Sequence, residues 1–257
     1  RPRRRHSADA GAVNPPQRTC RAAIGPGAAA APASAVRGEV HRGGIARAAE
    51  SVRAKVRRAE RGFFSADPVS LAQSLLGQRL VRVLPDGERV SGIIVETEAY
   101  LGVADRAAHS YGGRRTARVE PMYGAAGTAY VYFTYGMHHC FNVVCGREGE
   151  PVAVLIRALE PESGIERMRS NRPRARGDSD LCRGPAKLCQ AMEIGRKLTG
   201  IDLSTDERLF IEIAVLRPME RRRVANTARI GVGYAGAWAR RRLRWLIRGN
   251  PHVSVGR

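Results

Sequence analysis

Val90-Ser91-Gly92-Ile93-Ile94-Val95-Glu96-Thr97-Glu98-Ala99-Tyr100 is an apolar strand that runs directly into two carboxylates and a phenol. In an extended chain successive side chains point to opposite faces. Ile94, Glu96, Glu98 and Tyr100 are therefore expected on one face, and Ile93, Val95, Thr97 and Ala99 on the other. The two carboxylates would then stand about 7 Å apart. Taken alone, the segment reads equally well as a half-exposed strand with two solvated glutamates. Leu80 to Leu84 precedes it across the turn Pro85-Asp86-Gly87, which makes a hairpin with the acids at the far end of its second strand.

Further upstream, Asp67 followed by Pro68 is an N-cap with proline at the first helical position. Val69, Ala72, Leu75 and Leu76 then recur at helical spacing until Gly77. Downstream, Ala129 to Thr134 and Cys140 to Val144 form another strand pair, and Val152 to Ile156 leads to Arg157. Pro161 to Asp178, rich in arginine, reads as a basic loop. Gly184-Pro185-Ala186-Lys187-Leu188 opens a helix through Ile194, closed by Gly195. Its N-terminus suits either a phosphate or simple capping. The order predicts an α+β fold over residues 61–257, a single domain on a mostly antiparallel, curved β-sheet with flanking helices and a protruding β-hairpin.

The formal charge of this 257-residue chain is +20, and all but three of its 44 basic residues are arginine. Arginine meets phosphate through a planar, always ionised fork, so nucleic acid is the partner that best explains the excess. No apolar run approaches the roughly 18 residues that span a bilayer, and no strongly amphipathic basic helix is evident, so no membrane partner is expected. The cysteines, at 20, 140, 145, 182 and 189, form no Cys-x-x-Cys pair and have no histidine at zinc-ligand spacing. They read as reduced, buried thiols of an intracellular protein, and no metal is expected.

Residues 1–60 form a separate tract of Ala, Gly, Pro and Arg without aromatics, carrying 13 basic and four acidic residues. It reads as a disordered basic tail that adds nonspecific affinity for DNA, although its composition also fits an organelle transit peptide better than a secretory signal. Order is expected to begin at Phe63 and Phe64. Gly231, Gly233 and Gly236 satisfy Gly-x-Gly-x-x-Gly, but arginines follow and too little chain remains for a dinucleotide-binding unit. That run is expected to be a tight loop carrying Tyr234.

A second chemical feature is Tyr130-Val131-Tyr132-Phe133-Thr134-Tyr135-Gly136. Tyr130 and Tyr132 share a strand face, while Tyr135 falls near the hairpin tip, where a large aromatic suits stacking on a base or wedging into a duplex. His109 lies shortly after Tyr100, and the loop Gly112-Gly113-Arg114-Arg115-Thr116-Ala117-Arg118 suits a phosphate backbone or plain solvent exposure. A noncatalytic nucleic-acid-binding protein, or a metal-dependent nuclease using Glu96 and Glu98, would use the same ingredients.

Five segments together resemble the alkyladenine (3-methyladenine) DNA glycosylases in order and spacing. They are Val95 to Tyr100, Ala108-His109-Ser110, Tyr130 to Met137, Arg157 to Pro161, and Gly184 to Leu188. The resemblance runs from about Phe63 to Ser254; Ala237 and Arg242 depart from it where a glutamate and a proline would be expected. It implies a monofunctional enzyme, without a cofactor, that flips alkylated or deaminated purines out of double-stranded DNA and hydrolyses the N-glycosidic bond. Glu98 and Arg157 would be catalytic, Glu98 activating the water. Tyr100, His109, Tyr132 and Asn142 would form the base pocket, and Tyr135 would fill the gap in the duplex. Arg114, Arg115, Arg118 and Lys187 would meet the DNA backbone. The enzyme would work as a monomer, inside the cell with the DNA, whether nucleoid or nucleus. One carboxylate suffices for cationic bases that leave readily, and Glu96 is expected to be support.

Overall fold

The computed structural model describes residues 57–134, 136–213 and 223–254. Tyr135 and all but the last four residues of the expected tail lie outside the described residues. The strands are β1 (Arg57–Arg58), β2 (Arg79–Val83), β3 (Arg89–Tyr100), β4 (Ala129–Thr134), β5 (His138–Val144), β6 (Ala153–Ser163), β7 (Leu209–Ile213), β8 (Val224–Thr227) and β9 (Arg244–Ile247). The α-helices are α1 (Arg61–Phe64), α2 (Pro68–Leu75), α3 (Ile165–Asn171), α4 (Asp178–Leu181) and α5 (Pro185–Ala191). They build an α+β fold on one curled antiparallel sheet in the order β1-β7-β2-β3-β6-β5-β4, with β9 also on β3 and β8 on β9.

The expected capping geometry at α2 is present. Asp67 Oδ1 accepts from the Val69 and Ser70 N–H groups at 2.9 and 3.0 Å, satisfying two donors that the helix itself cannot. Gly77 follows with φ of +80°, a left-handed conformation that glycine adopts without a Cβ clash, and turns the chain into β2. Leu71, Ala72 and Leu75 enter the main core with Met168 of α3 and Leu188 and Cys189 of α5.

β3 is the axis of the sheet. Its first half pairs with β2, Val83 opposite Arg89 and Arg79 opposite Ile93. Beyond Ile94 the same edge pairs with β9, Glu96 opposite Leu246 and Glu98 opposite Arg244, while β6 lines the other edge. The pairing with β6 is irregular at this changeover. Ile94 faces Leu159 and Glu96 faces Ala158, which leaves Val95 extra on β3; Thr97 then faces Ile156, which leaves Arg157 extra on β6.

This bulge corrects the simple alternation, because an extra residue resets which face the following side chains occupy. Ile94 joins Ala99 in the main core instead of sharing a face with Glu96, and Val95 packs with Ala158 and Ile247 in a separate cluster. Glu96, Glu98 and Tyr100 keep their mutual alternation beyond the bulge.

Two other expectations change. The stretch from Pro161 to Asp178 holds the end of β6 and all of α3 in place of a loop; the buried Met168 anchors the helix, and its arginines are tied to Glu88, Glu166 and Asp178. The chain also joins the sheet before Phe63. Arg57 and Arg58 pair with β7, Ala59 is fully buried, and Arg58 donates to the carbonyls of Leu203 and Asp206.

The C-terminal segment is fastened to β3 through Glu96, which is fully buried. Its Oε1 accepts from Arg244 Nε at 2.6 Å, Arg157 Nε at 3.0 Å and Ser254 Oγ at 2.8 Å, and its Oε2 accepts from the Ser254 N–H at 2.7 Å. Removing one member of such a network strands the others without partners. Glu96→Ala should therefore lose about 3–5 kcal/mol in urea unfolding; a loss within about 0.5 kcal/mol, the range of neutral surface changes, would contradict this anchoring. A chain starting at residue 51 should unfold at the full-length midpoint, whereas one starting at residue 61 should unfold earlier for want of β1. Equal midpoints would place the start of the folded unit at Phe63.

Candidate active site

Glu98 has no exposed surface, and two hydrogen-bond donors and one ion-pair partner hold it. The Ile230 N–H donates to Oε1 at 2.8 Å, Arg157 Nη1 lies 3.2 Å from the same oxygen, and the Tyr100 hydroxyl donates to Oε2 at 2.9 Å. Burial and then the adjacent Glu98 charge push the Tyr100 phenol well above its ordinary pKa, so it keeps its proton as donor. Burial opposes the charge on Arg157, but Glu98 and Glu96 outweigh it and raise the pKa further. Arg157 thus bridges both carboxylates from the bulge position of β6.

A cleft of about 300 Å³ opens beside this group, at the lower end of small-molecule sites. Its lining includes Tyr100, His109, Tyr132, Asn142 and Arg157, five of the residues expected at the site, together with Tyr130 and Ile230. Tyr100, Arg157 and Ile230, the three partners of Glu98, therefore all reach the cleft wall.

His109 and the hairpin tyrosines form its aromatic side. The His109 ring stands edge-on to Tyr132 with centroids 4.5 Å apart, and its Nδ1 is 2.8 Å from the Tyr130 hydroxyl. Burial, then Arg118 and Arg114, lower the His109 pKa to about 4, so the imidazole is neutral at neutral pH. Burial raises Tyr130 to about 12. A Tyr130 hydroxyl donating into Nδ1 leaves the His109 proton on Nε2. Asn142 is buried, and its Nδ2 donates to the Tyr130 carbonyl at 3.2 Å.

The expected backbone contacts are arranged unequally. Arg114 and Arg118 are exposed. Arg115 forms a bidentate pair with Glu120 at 2.9 and 2.6 Å and lies over the Tyr123 ring. Lys187 is paired with Asp180. Phe133 and Met137 are exposed near the hairpin tip.

Several contributors carried no sequence signal that was read. Arg229 is buried, pairs with Asp105 through Nη1 at 2.5 Å and Nη2 at 2.9 Å, donates to the Ala99 carbonyl, and lies 4.7 Å from the Tyr100 ring centroid. It positions the next residue, Ile230, whose N–H reaches Glu98. Where a tight loop was expected, Gly233–Arg240 forms a 3-10 helix kinked at Gly236, and its exposed Tyr234 donates to the Ala107 carbonyl at the cleft wall. Tyr130, expected only to share a strand face with Tyr132, also orients His109. Arg244 and Ser254 act through Glu96.

Chemically, the arrangement offers one fixed carboxylate beside a cleft with aromatic walls. Glu96 is fully engaged by two arginines and Ser254, and Glu98 shares Arg157. Guanidinium groups against both carboxylates repel a divalent cation, which disfavours the metal-nuclease use of Glu96 and Glu98. Among the described residues no cluster of three metal-ligating side chains occurs, and no helix is long and apolar enough to cross a membrane.

Residues 62–251 match the model of the methylpurine-DNA glycosylase family. The human DNA-3-methyladenine glycosylase is 49% identical over 201 residues, covering 75% of this chain and 66% of the relative. The mouse protein of the same name is 46% identical over 201 residues, covering 75% and 60%. A protein of Clostridium acetobutylicum named putative 3-methyladenine DNA glycosylase is 46% identical over 202 residues, covering 76% and 96%. The matched region thus spans less than two thirds of the mammalian relatives and nearly all of the bacterial one. The chain belongs to the methylpurine-DNA glycosylase family.

Proposed function

We propose that this protein is a monofunctional DNA glycosylase that removes alkylated or deaminated purines from duplex DNA. The observation that carries the reading is Glu98: a buried carboxylate held by two hydrogen-bond donors and an arginine, all three on the wall of a cleft with aromatic sides. A glycosidic bond inside stacked DNA is out of reach, so the nucleotide is extruded into the cleft, and bases that unstack cheaply are favoured. Tyr100, His109 and Tyr132 enclose the base. Glu98 takes a proton from water as the water oxygen bonds to the sugar C1′, and the electron pair of the C1′–N bond leaves with the base. The Glu98 charge also stabilises the positive charge developing on the sugar, while Arg157 keeps the carboxylate in place and stands near the water.

Asn142 meets the edge of the base and hinders guanine through its exocyclic amine. Tyr135 fills the space vacated in the duplex, and Arg114, Arg115, Arg118 and Lys187 follow the DNA backbone. Lys187 serves as charge and not as a nucleophile, so the reaction stops at the abasic site. The protein acts on DNA as a monomer and needs no cofactor for this chemistry.

Glu98→Gln should lower single-turnover base release by at least about 10²-fold, the lower range of general-base contributions, while binding to a lesion-bearing duplex persists. Near-normal release would remove Glu98 from the mechanism, and absence of release by the parent protein would leave a noncatalytic DNA-binding role. His109 acts as a neutral imidazole. Its folded pKa, about 4, lies below the unbound value of 6.5, so the unfolded state binds the proton first as pH falls. The stability this site contributes is complete above about 6.5 and is lost towards about 4. Imidazole NMR should show His109 neutral at pH 5.5; a midpoint near 6.5 would contradict the burial and positive field assigned to it.

A further inference from the structure

The two tyrosines expected to stack on the base are each backed by an arginine. Arg229 lies 4.7 Å from the Tyr100 centroid, and Arg118 lies 5.4 Å from the Tyr132 centroid. Neither arginine lines the cleft among the described residues. Arg229 has no exposed side-chain surface, so it covers a Tyr100 face turned away from the opening. Asp105 balances much of its charge. Arg118 differs: it is exposed, donates to the Phe133 carbonyl at 2.9 Å, and has no carboxylate within ion-pair distance among the described residues.

An aromatic face attracts cations because its π-cloud is electron-rich. A guanidinium already seated on the ring satisfies that attraction, polarises the ring towards itself, and adds a positive charge behind it. The cleft therefore has two electrical ends. Glu98, paired with Arg157, places negative charge beside Tyr100, while Arg118 places positive charge against Tyr132. The same positive charge bears on His109, whose protonation is disfavoured first by burial and then by Arg118 and Arg114.

From these positions we infer that Arg118 is a specificity-determining residue that biases the cleft towards neutral purines and against purines carrying a fixed positive charge. The inference rests on the glycosylase reading above. When the C1′–N bond breaks, its electron pair moves onto the base. A neutral base such as hypoxanthine then gains negative charge, whereas a cationic base such as 7-methylguanine only loses positive charge. At the transition state the two differ by about one unit of charge at the same place. The positive end of the cleft lowers the barrier measured from free enzyme and duplex for the first and raises it for the second. Arg118 thereby supplies help to neutral leaving bases without donating a proton.

The test compares kcat/KM for hypoxanthine and for 7-methylguanine in duplexes of identical flanking sequence, using the full-length chain, Arg118→Gln and Arg118→Lys. Glutamine should lower the hypoxanthine-to-7-methylguanine ratio by about two- to fivefold, the scale of an exposed cation–π contact. It should also raise the His109 pKa measured by NMR. Lysine, which keeps the charge, should hold the ratio within about twofold of the parent. Equal losses on both substrates would reduce Arg118 to a phosphate contact and overturn the inference. Lysine behaving as glutamine would overturn its electrostatic basis. Release of neither base by the parent chain would sink the glycosylase reading itself, whereas release of both with an unmoved ratio would sink only the role of Arg118.

Discussion

The structure turns on one guanidinium. Arg157 sits where β6 carries an extra residue opposite β3, and from there its Nε meets Glu96 and its Nη1 meets Glu98. Two like-charged groups on one strand face repel each other; a shared cation between them offsets that repulsion. Burial is tolerated because every charge has a partner: Glu96 has Arg244 and Ser254, and Glu98 has the Ile230 N–H and the Tyr100 hydroxyl. The bulge that spoils the regular ladder is what allows Arg157 to reach both acids.

From that arrangement the carboxylates acquire unequal duties. Glu96 ties the last strand and Ser254 to the middle of the sheet. Glu98 faces the cleft through its partners, held by groups that come from β3 itself, from β6 and from the loop after Arg229. Fixing a carboxylate by donors that need not move is the arrangement electrostatic catalysis favours, since little reorganisation is left for the reaction step.

The chain's local patterns exposed much of this. Asp67-Pro68, the hairpin turn at Pro85-Asp86-Gly87 and the alternation of Glu96, Glu98 and Tyr100 depend on neighbours within a few residues, and the structure carries them as read. The misreadings share a physical cause. The bulge at Val95 comes from pairing with a strand more than 60 positions away, which no local period reveals. Met168 anchors α3 inside a stretch whose arginines suggested a loop. The Ile230 donor is a peptide N–H, which every residue but proline possesses, so its identity carries no information. Arg229 reaches Asp105, and Arg244 and Ser254 reach Glu96, only through pairings of 124, 148 and 158 positions, which no local pattern carries.

In the proposed mechanism the basic surroundings and the acidic strand divide the work: arginines hold a polyanion and tune the cleft, and one glutamate meets the positive charge that forms on the sugar. Mass analysis of a methylated duplex after incubation with the protein in chelator tests this most directly. The account predicts free methylated purine in solution and continuous strands bearing abasic sites. Strands cut without release of a base, or a duplex bound but chemically unchanged, would contradict it.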